Sequence, residues 1–182
     1  MTNHIDLGTV LRQTLSADLY SNLVTRPTGR AVRAQIEVLL ESARSDDRAL
    51  AVIDFSHVSM IDFSCADEII AKLLLGGQKK EAYFVFRGMT DDHWDAIEAV
   101  LERHGLALVV EREDGVELVG VLEEGERRTF QAIKRRGRAE CWELAGDMNE
   151  PESTVRVALD RMWHRRLIMR SGDSYMPVGE LA

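Results

Sequence analysis

Apolar residues recur at helical spacing between residues 28 and 44, at Val32, Ile36, Leu39 and Leu40, and the pattern runs out in the polar stretch SARSDDR. Residues 50–55 form a short apolar run around Val52 and Ile53, which reads as a buried strand. A second helical stripe follows, made by Ile69, Ile70, Leu73 and Leu74, and Gly76-Gly77 is expected to stop it. AYFVF, residues 82–86, is aromatic and β-branched enough for another strand. Asp91 and Asp92 are the expected caps of a helix whose inner side is Trp94, Ile97, Val100 and Leu101, ending at Gly105. Residues 106–111 and 116–121 flank Asp114-Gly115, a two-residue hairpin signal. Strands alternating with helices over residues 50–111 predict parallel strands with crossover helices, an α/β arrangement, and residues 5–12 are a candidate edge strand.

The rhythm then changes. Residues 123–136 predict a helix with Phe130 and Ile133 inward, Arg127, Arg128, Lys134 and Arg135 outward, and Gly137 closing it. RAECWELAGDMN gives a second, short helix on a stripe of Cys141, Leu144, Ala145 and Met148. Asn149 is the expected cap of a third helix, with Pro151 in its first turn, Glu152 placed as in a capping box, and an inner stripe of Val155, Ala158, Leu159 and Met162. LIMRSGDSYMPV reads as two short strands about Ser171-Gly172-Asp173-Ser174. Three helices followed by a hairpin is the plan of a winged helix.

Charge sharpens this division. Residues 1–121 hold 12 Lys and Arg against 20 Asp and Glu, whereas residues 122–182 hold 11 against 11. The expected organisation is therefore an acidic α/β domain over 1–121 and a small, neutral C-terminal domain over 122–182. Cys65 and Cys141 have no CxxC spacing and the five histidines form no i, i+4 pair, so neither a disulfide framework, a metal nor a cofactor is expected. MTNHIDLGTV lacks the basic and apolar regions of a signal peptide, and IIAKLLL is too short to cross a bilayer, so a cytoplasmic location without a membrane partner is the expectation. His57, Asp62 and Ser64 are residue types of a hydrolytic set. With no G-x-S-x-G elbow and no glycine to make room for an oxyanion hole, an enzyme is not expected.

Candidate chemistry concentrates in VIDFSHVSMIDFSCADEIIAKLLL, residues 52–75, where Asp-Phe-Ser occurs twice, at Asp54-Phe55-Ser56 and Asp62-Phe63-Ser64. The second copy opens a helix, where free N–H groups and the macrodipole favour negative charge. Two readings stay open: Asp62 or Ser64 simply caps the helix, a contribution of about 1 kcal/mol, or Ser64 carries a phosphate there, opposed by Asp62, Asp67 and Glu68. The run resembles the signature of STAS and STAS-like domains: a strand ending in Asp, a hydroxyl residue, an apolar spacer, a second Asp, and a Ser at a helix start. It departs from the Asp-Ser-Ser-Gly turn of anti-anti-sigma factors at Phe63 and at Cys65-Ala66. The resemblance implies a STAS-like mixed sheet with crossover helices. It also implies a partner-facing turn made by Asp54, Ser56, Asp62 and Ser64, and a kinase-like protein partner that phosphorylates Ser64.

WELAGDMNEPESTVRVALDRMWHRRLIMRSGDSYMPV resembles bacterial winged helix-turn-helix regulators in its Glu-Leu-Ala, its Ser-Thr-Val-Arg-x-Ala-Leu and its Leu-Ile before the wing, with Arg166 where such proteins often carry Gly. The resemblance implies double-stranded DNA as partner, with Ser153, Thr154, Arg156, Val157 and Arg161 near bases or phosphates and Arg170 and Ser174 on the wing. The neutral charge balance speaks instead for protein contacts or dimerisation, while RRTFQAIKRRGR speaks for nucleic acid. Trp142, off its helix's core stripe, is either a hot spot for a partner or a cover for the seam between domains, and the seam is the first expectation. A bacterial regulatory protein joining partner sensing to DNA binding is the first expectation. The second is a partner-switching adaptor that binds proteins only, and a homo-oligomer is compatible with both.

Overall fold

Side chains alternate across the strands of the central sheet, and the two sets enter different cores. In this computed structural model, which describes residues 2–7, 9–10, 22–42, 49–80 and 82–179, the sheet consists of β1 (Thr2–Asp6), β3 (Ala49–Asp54), β5 (Ala82–Arg87), β6 (Ala107–Arg112) and β7 (Gly115–Gly120), in the spatial order β1-β3-β5-β6-β7. The first four are parallel and β7 returns antiparallel beside β6. A pair of two-residue strands, β2 (Asn22–Leu23) and β4 (Met60–Ile61), lies apart from it.

Ala51, Ile53, Phe84, Phe86, Leu108 and Val110 point to one face of the sheet and enter the first core. There they meet α1 (Arg26–Ser42), α2 (63–80) and α3 (Asp91–His104) through Val32, Ile36, Ile69, Ile70, Leu73, Ile97 and Leu101. α2 is one continuous helix of three parts: Phe63–Ala66, a π-helical turn Asp67–Ala71, and Lys72–Lys80. Leu50, Val52, Tyr83, Val85, Ala107, Val109 and Val116 point to the opposite face and enter the second core. Its other side comes from the last third of the chain, through Phe130, Ile133, Leu144, Val155, Leu159, Met162, Ile168, Tyr175 and Val178. That third consists of α4 (Glu124–Arg136), β8 (Ala139–Glu140), α5 (Cys141–Met148), α6 (Glu152–His164), β9 (Ile168–Ser171) and β10 (Ser174–Pro177), with the strands ordered β8-β10-β9. The change of rhythm near residue 121 is thus a change of element order, and apolar packing runs across it.

Several expected details differ. α2 passes through Gly76-Gly77 and does not stop there: a Cβ at Gly77 would come 2.6 Å from the Phe84 ring and 3.0 Å from the Ala82 carbonyl, so this glycine serves close approach of helix to strand. α3 is capped by Thr90, with Asp91 and Asp92 inside its first turn. Buried His93 closes the cap: its Nδ1 accepts the Thr90 N–H at 3.0 Å, which leaves Nε2–H to donate to the Val58 carbonyl at 3.0 Å. Asn149 ends α5 in the left-handed conformation, and Pro151 is the residue that precedes α6. In the β6–β7 hairpin Arg112 pairs with Gly115, so Glu113-Asp114 is the loop, one position earlier than expected. The edge strand ends at Asp6, earlier than the 5–12 reading, and residues 11–12 and most of SARSDDR lie outside the described residues.

Candidate functional site

The helix starts of α1 and α2 meet at one corner. Asp62 caps α2: its Oδ1 accepts the Cys65 N–H at 2.8 Å and the Ser64 hydroxyl at 2.9 Å, and its Oδ2 accepts the Thr25 N–H, just before α1, at 3.1 Å. Burial pushes the Asp62 carboxyl up, but these hydrogen bonds outweigh it and hold the group below the usual carboxylate range. Of the two cap candidates in the sequence it is therefore Asp62 that caps, while half-buried Ser64 sits in the first turn and donates to it. A Cβ at Gly29 would come 2.9 Å from the Cys65 Cα, so α1 crosses α2 almost backbone to backbone. The Cys65 thiol donates to the Thr25 carbonyl at 2.9 Å and is pushed up to about 12 by burial and by the Asp62 charge, an environment that disfavours the thiolate.

Of the first Asp-Phe-Ser, Asp54 ends β3 and Ser56 lies in the turn that follows it. Asp54 Oδ1 accepts the Ser56 N–H and Oδ2 accepts Arg87 Nε, both at 2.9 Å. Burial raises the Asp54 carboxyl, and the Ser56 and Arg87 hydrogen bonds bring it below the ordinary range. The two Asp-Phe-Ser copies do different work: one ties β3 to β5, the other starts α2. His57 Nδ1 lies 3.3 Å from Asp6 Oδ2, and among the described residues no hydrogen bond joins it to Asp62 or Ser64.

A charged cluster that the sequence reading missed lies along the π-helical turn. Glu68 is fully buried, yet its Oε1 accepts Lys72 Nζ at 2.6 Å and Arg26 Nη1 at 2.9 Å, and Arg33 Nη2 stands 3.6 Å from Oε2. Asp67 takes the same Arg26 at 2.8 Å and His104 Nε2 at 2.7 Å. Burial alone would raise both carboxyls, whereas the surrounding cations keep both below their usual range. Only Glu68–Lys72, at i and i+4, was visible as a spacing; Arg26 is 42 residues away in sequence. Among the described residues no group of three or more His, Cys, Asp or Glu is placed to hold a metal ion, and no helix is long and apolar enough to cross a membrane.

In the last third, α6 buries Val155, Ala158, Leu159 and Met162 and leaves Ser153, Thr154, Arg156, Val157 and Arg161 exposed. Its cations have acidic neighbours: Arg156 stands 3.6 Å from Glu152, and Arg161 pairs with Glu123, the residue before α4. Arg170 lies 3.6 Å from Asp173 and over the rings of Trp163 and Tyr175, while Ser174, half-buried, starts β10. Val157, Asp160, Arg161, His164 and Arg165 face Gly105 and Val121 across a groove of about 690 Å³. Arg165 fastens this junction, reaching buried Glu126 at 3.2 Å and the Val121 carbonyl at 2.7 Å. Arg166 adopts φ +60°, the conformation for which Gly is favoured, and its guanidinium lies 5.7 Å from the ring centres of both Tyr83 and Trp163. Trp142 covers no seam: it is 61% exposed and donates to Glu140 Oε2 at 2.9 Å. No protein-family model matches the chain, and no curated protein matches it.

Proposed function

We propose that the protein is a non-enzymatic, cytoplasmic regulator in which a STAS-like α/β part senses a protein partner and a winged helix-turn-helix part binds double-stranded DNA. The observation that carries the reading is α6, which buries a four-residue stripe and turns Ser153, Thr154, Arg156, Val157 and Arg161 outward. In this proposal α6 enters the major groove, Arg156 and Arg161 reach base edges or phosphates, and Arg170 and Ser174 approach the backbone. The partner, a kinase-like protein, meets the corner built by Asp62 and Ser64, near Asp54 and Ser56 in the sequence. A phosphate on Ser64 would displace the hydroxyl from Asp62 and set like charges against each other at the start of α2. The second core, shared by the sheet and α6, supplies a physical route from one part to the other.

The adaptor reading is favoured by a different observation: Arg156, Arg161 and Arg170 each have an acidic neighbour within the chain. Titration of the full chain with its own promoter DNA and with unrelated duplex separates the two. Replacing Arg156, Arg161 or Arg170 by Ala is expected to weaken duplex binding by roughly 1–3 kcal/mol where a base is read, or to flatten its salt dependence where a phosphate is met. Binding indifferent to all three substitutions would remove α6 and the wing as the DNA surface.

A further inference from the structure

We propose that the outward face of α4, carrying Arg127, Arg128, Gln131 and Arg135, is a phosphate-contacting surface that meets the backbone of duplex nucleic acid beside α6. The inference rests on the duplex-binding reading and extends it to a helix that the reading leaves out.

Arg127, Arg128, Gln131 and Arg135 are all exposed, and they line one shallow hollow with Glu124, Asp147 and Met148. On a helix of 3.6 residues per turn these positions fall within one face, and Arg127 and Arg135 stand about 12 Å apart along the axis. Phe130, Ala132 and Ile133 take the opposite, buried side. Both helices carry acidic side chains beside their arginines. The α6 arginines have Glu152 and Glu123 as neighbours, with Asp160 between them. On α4, Glu124 and Asp147 stand in the hollow with Arg127 and Arg135; Arg135 makes no ion pair within 4 Å among the described residues, and Arg127 donates one N–H to the Gly120 carbonyl and leaves its other donors for a phosphate. Arg128 pairs with Glu150 in the turn that leads into α6, so this face adjoins the start of α6.

Two features favour a polyanion over an acidic protein. The cations of the face are arginines, whose planar fork matches phosphate oxygens bidentately. The face also has no large exposed apolar side chain at its centre, which is polar Gln131, whereas protein interfaces are built around an apolar core.

The test uses the full chain and a short fluorescent duplex of arbitrary sequence, titrated from about 50 to 200 mM salt, with poly-glutamate as a second probe. The variants are R127A/R128A/R135A and the charge-keeping R127K/R128K/R135K, each with its urea midpoint measured to show that the fold survives. The expected result is a loss of roughly tenfold or more at low salt for the Ala variant, with the log–log salt slope smaller by about 2.7, from 0.9 for each of three phosphates. The Lys variant is expected to keep most of that slope. Wild-type binding that the Ala variant reproduces, slope included, would overturn the α4 surface and leave the α6 reading standing. No wild-type binding at the lowest salt would overturn both. Poly-glutamate held as tightly as duplex would overturn the nucleic-acid assignment in favour of an acidic protein.

Discussion

At the residue scale the instructive pair is Asp62 and Ser64. Both can cap a helix, they are two residues apart, and a boundary uncertain by one residue leaves the choice open in the sequence. The structure separates them, because Asp62 accepts from Cys65, Ser64 and Thr25 while Ser64 only donates to Asp62. Asp62→Ala is therefore expected to lower the unfolding free energy by about 1–2 kcal/mol at neutral pH, and Ser64→Ala by about 0.5 kcal/mol. The carboxyl of Asp62 lies below its usual range in the fold, so its contribution is present above the unfolded value, about 3.9, and disappears as pH falls through the folded value. Urea unfolding over a pH series should show the gap between wild type and Asp62→Ala closing below about pH 4. Equal losses for the two substitutions at pH 7 would assign the cap wrongly. The Glu68 cluster was beyond sequence reasoning for a physical reason: no spacing rule relates Arg26 to a carboxylate 42 residues on, and the contact exists only because α1 starts against α2.

Elements were legible where burial imposes a period. Val32 and Ile36, then Ile69, Ile70, Leu73 and Leu74, then Val155, Ala158, Leu159 and Met162 all lie on buried faces, as their spacing requires. Ends were less legible, because caps are settled by tertiary contacts that compete with local signals. Gly76-Gly77 shows why. In isolation the pair reads as a stop, but inside α2 the two glycines do opposite things: nothing approaches a Cβ at Gly76, while one at Gly77 meets the Phe84 ring and the Ala82 carbonyl. Gly76→Ala is thus expected to stabilise by up to about 1 kcal/mol through helix propensity. Gly77→Ala is expected to cost about 1–3 kcal/mol through overpacking. Thermal unfolding of the two single variants checks this, and a stabilised Gly77→Ala would show that α2 does not pass close over β5.

For the whole molecule, the charge asymmetry and the change of rhythm were readable, but the shared core was not. Val52, Val85 and Val109 look like any buried strand residues, and no pattern says which later element will cover them. Because the last third of the chain covers that face, a fragment of residues 1–121 would expose Leu50, Val52, Tyr83, Val85, Ala107, Val109 and Val116 together. Such a fragment is expected to unfold at lower urea than the full chain and to self-associate. Full-length stability in a monomeric fragment would show the seam to be energetically minor. Just beyond α6 the same seam is fastened by Arg165, which reaches the Val121 carbonyl, and by Arg166, whose guanidinium lies over the Tyr83 ring of the sheet. The direct measurement is the equilibrium affinity of the full chain for duplex DNA as a function of salt. The expected result is binding at about 50 mM salt, with log K falling linearly in log salt by roughly 0.9 per phosphate contacted. Absence of binding at the lowest salt would contradict duplex recognition and leave the protein-only adaptor.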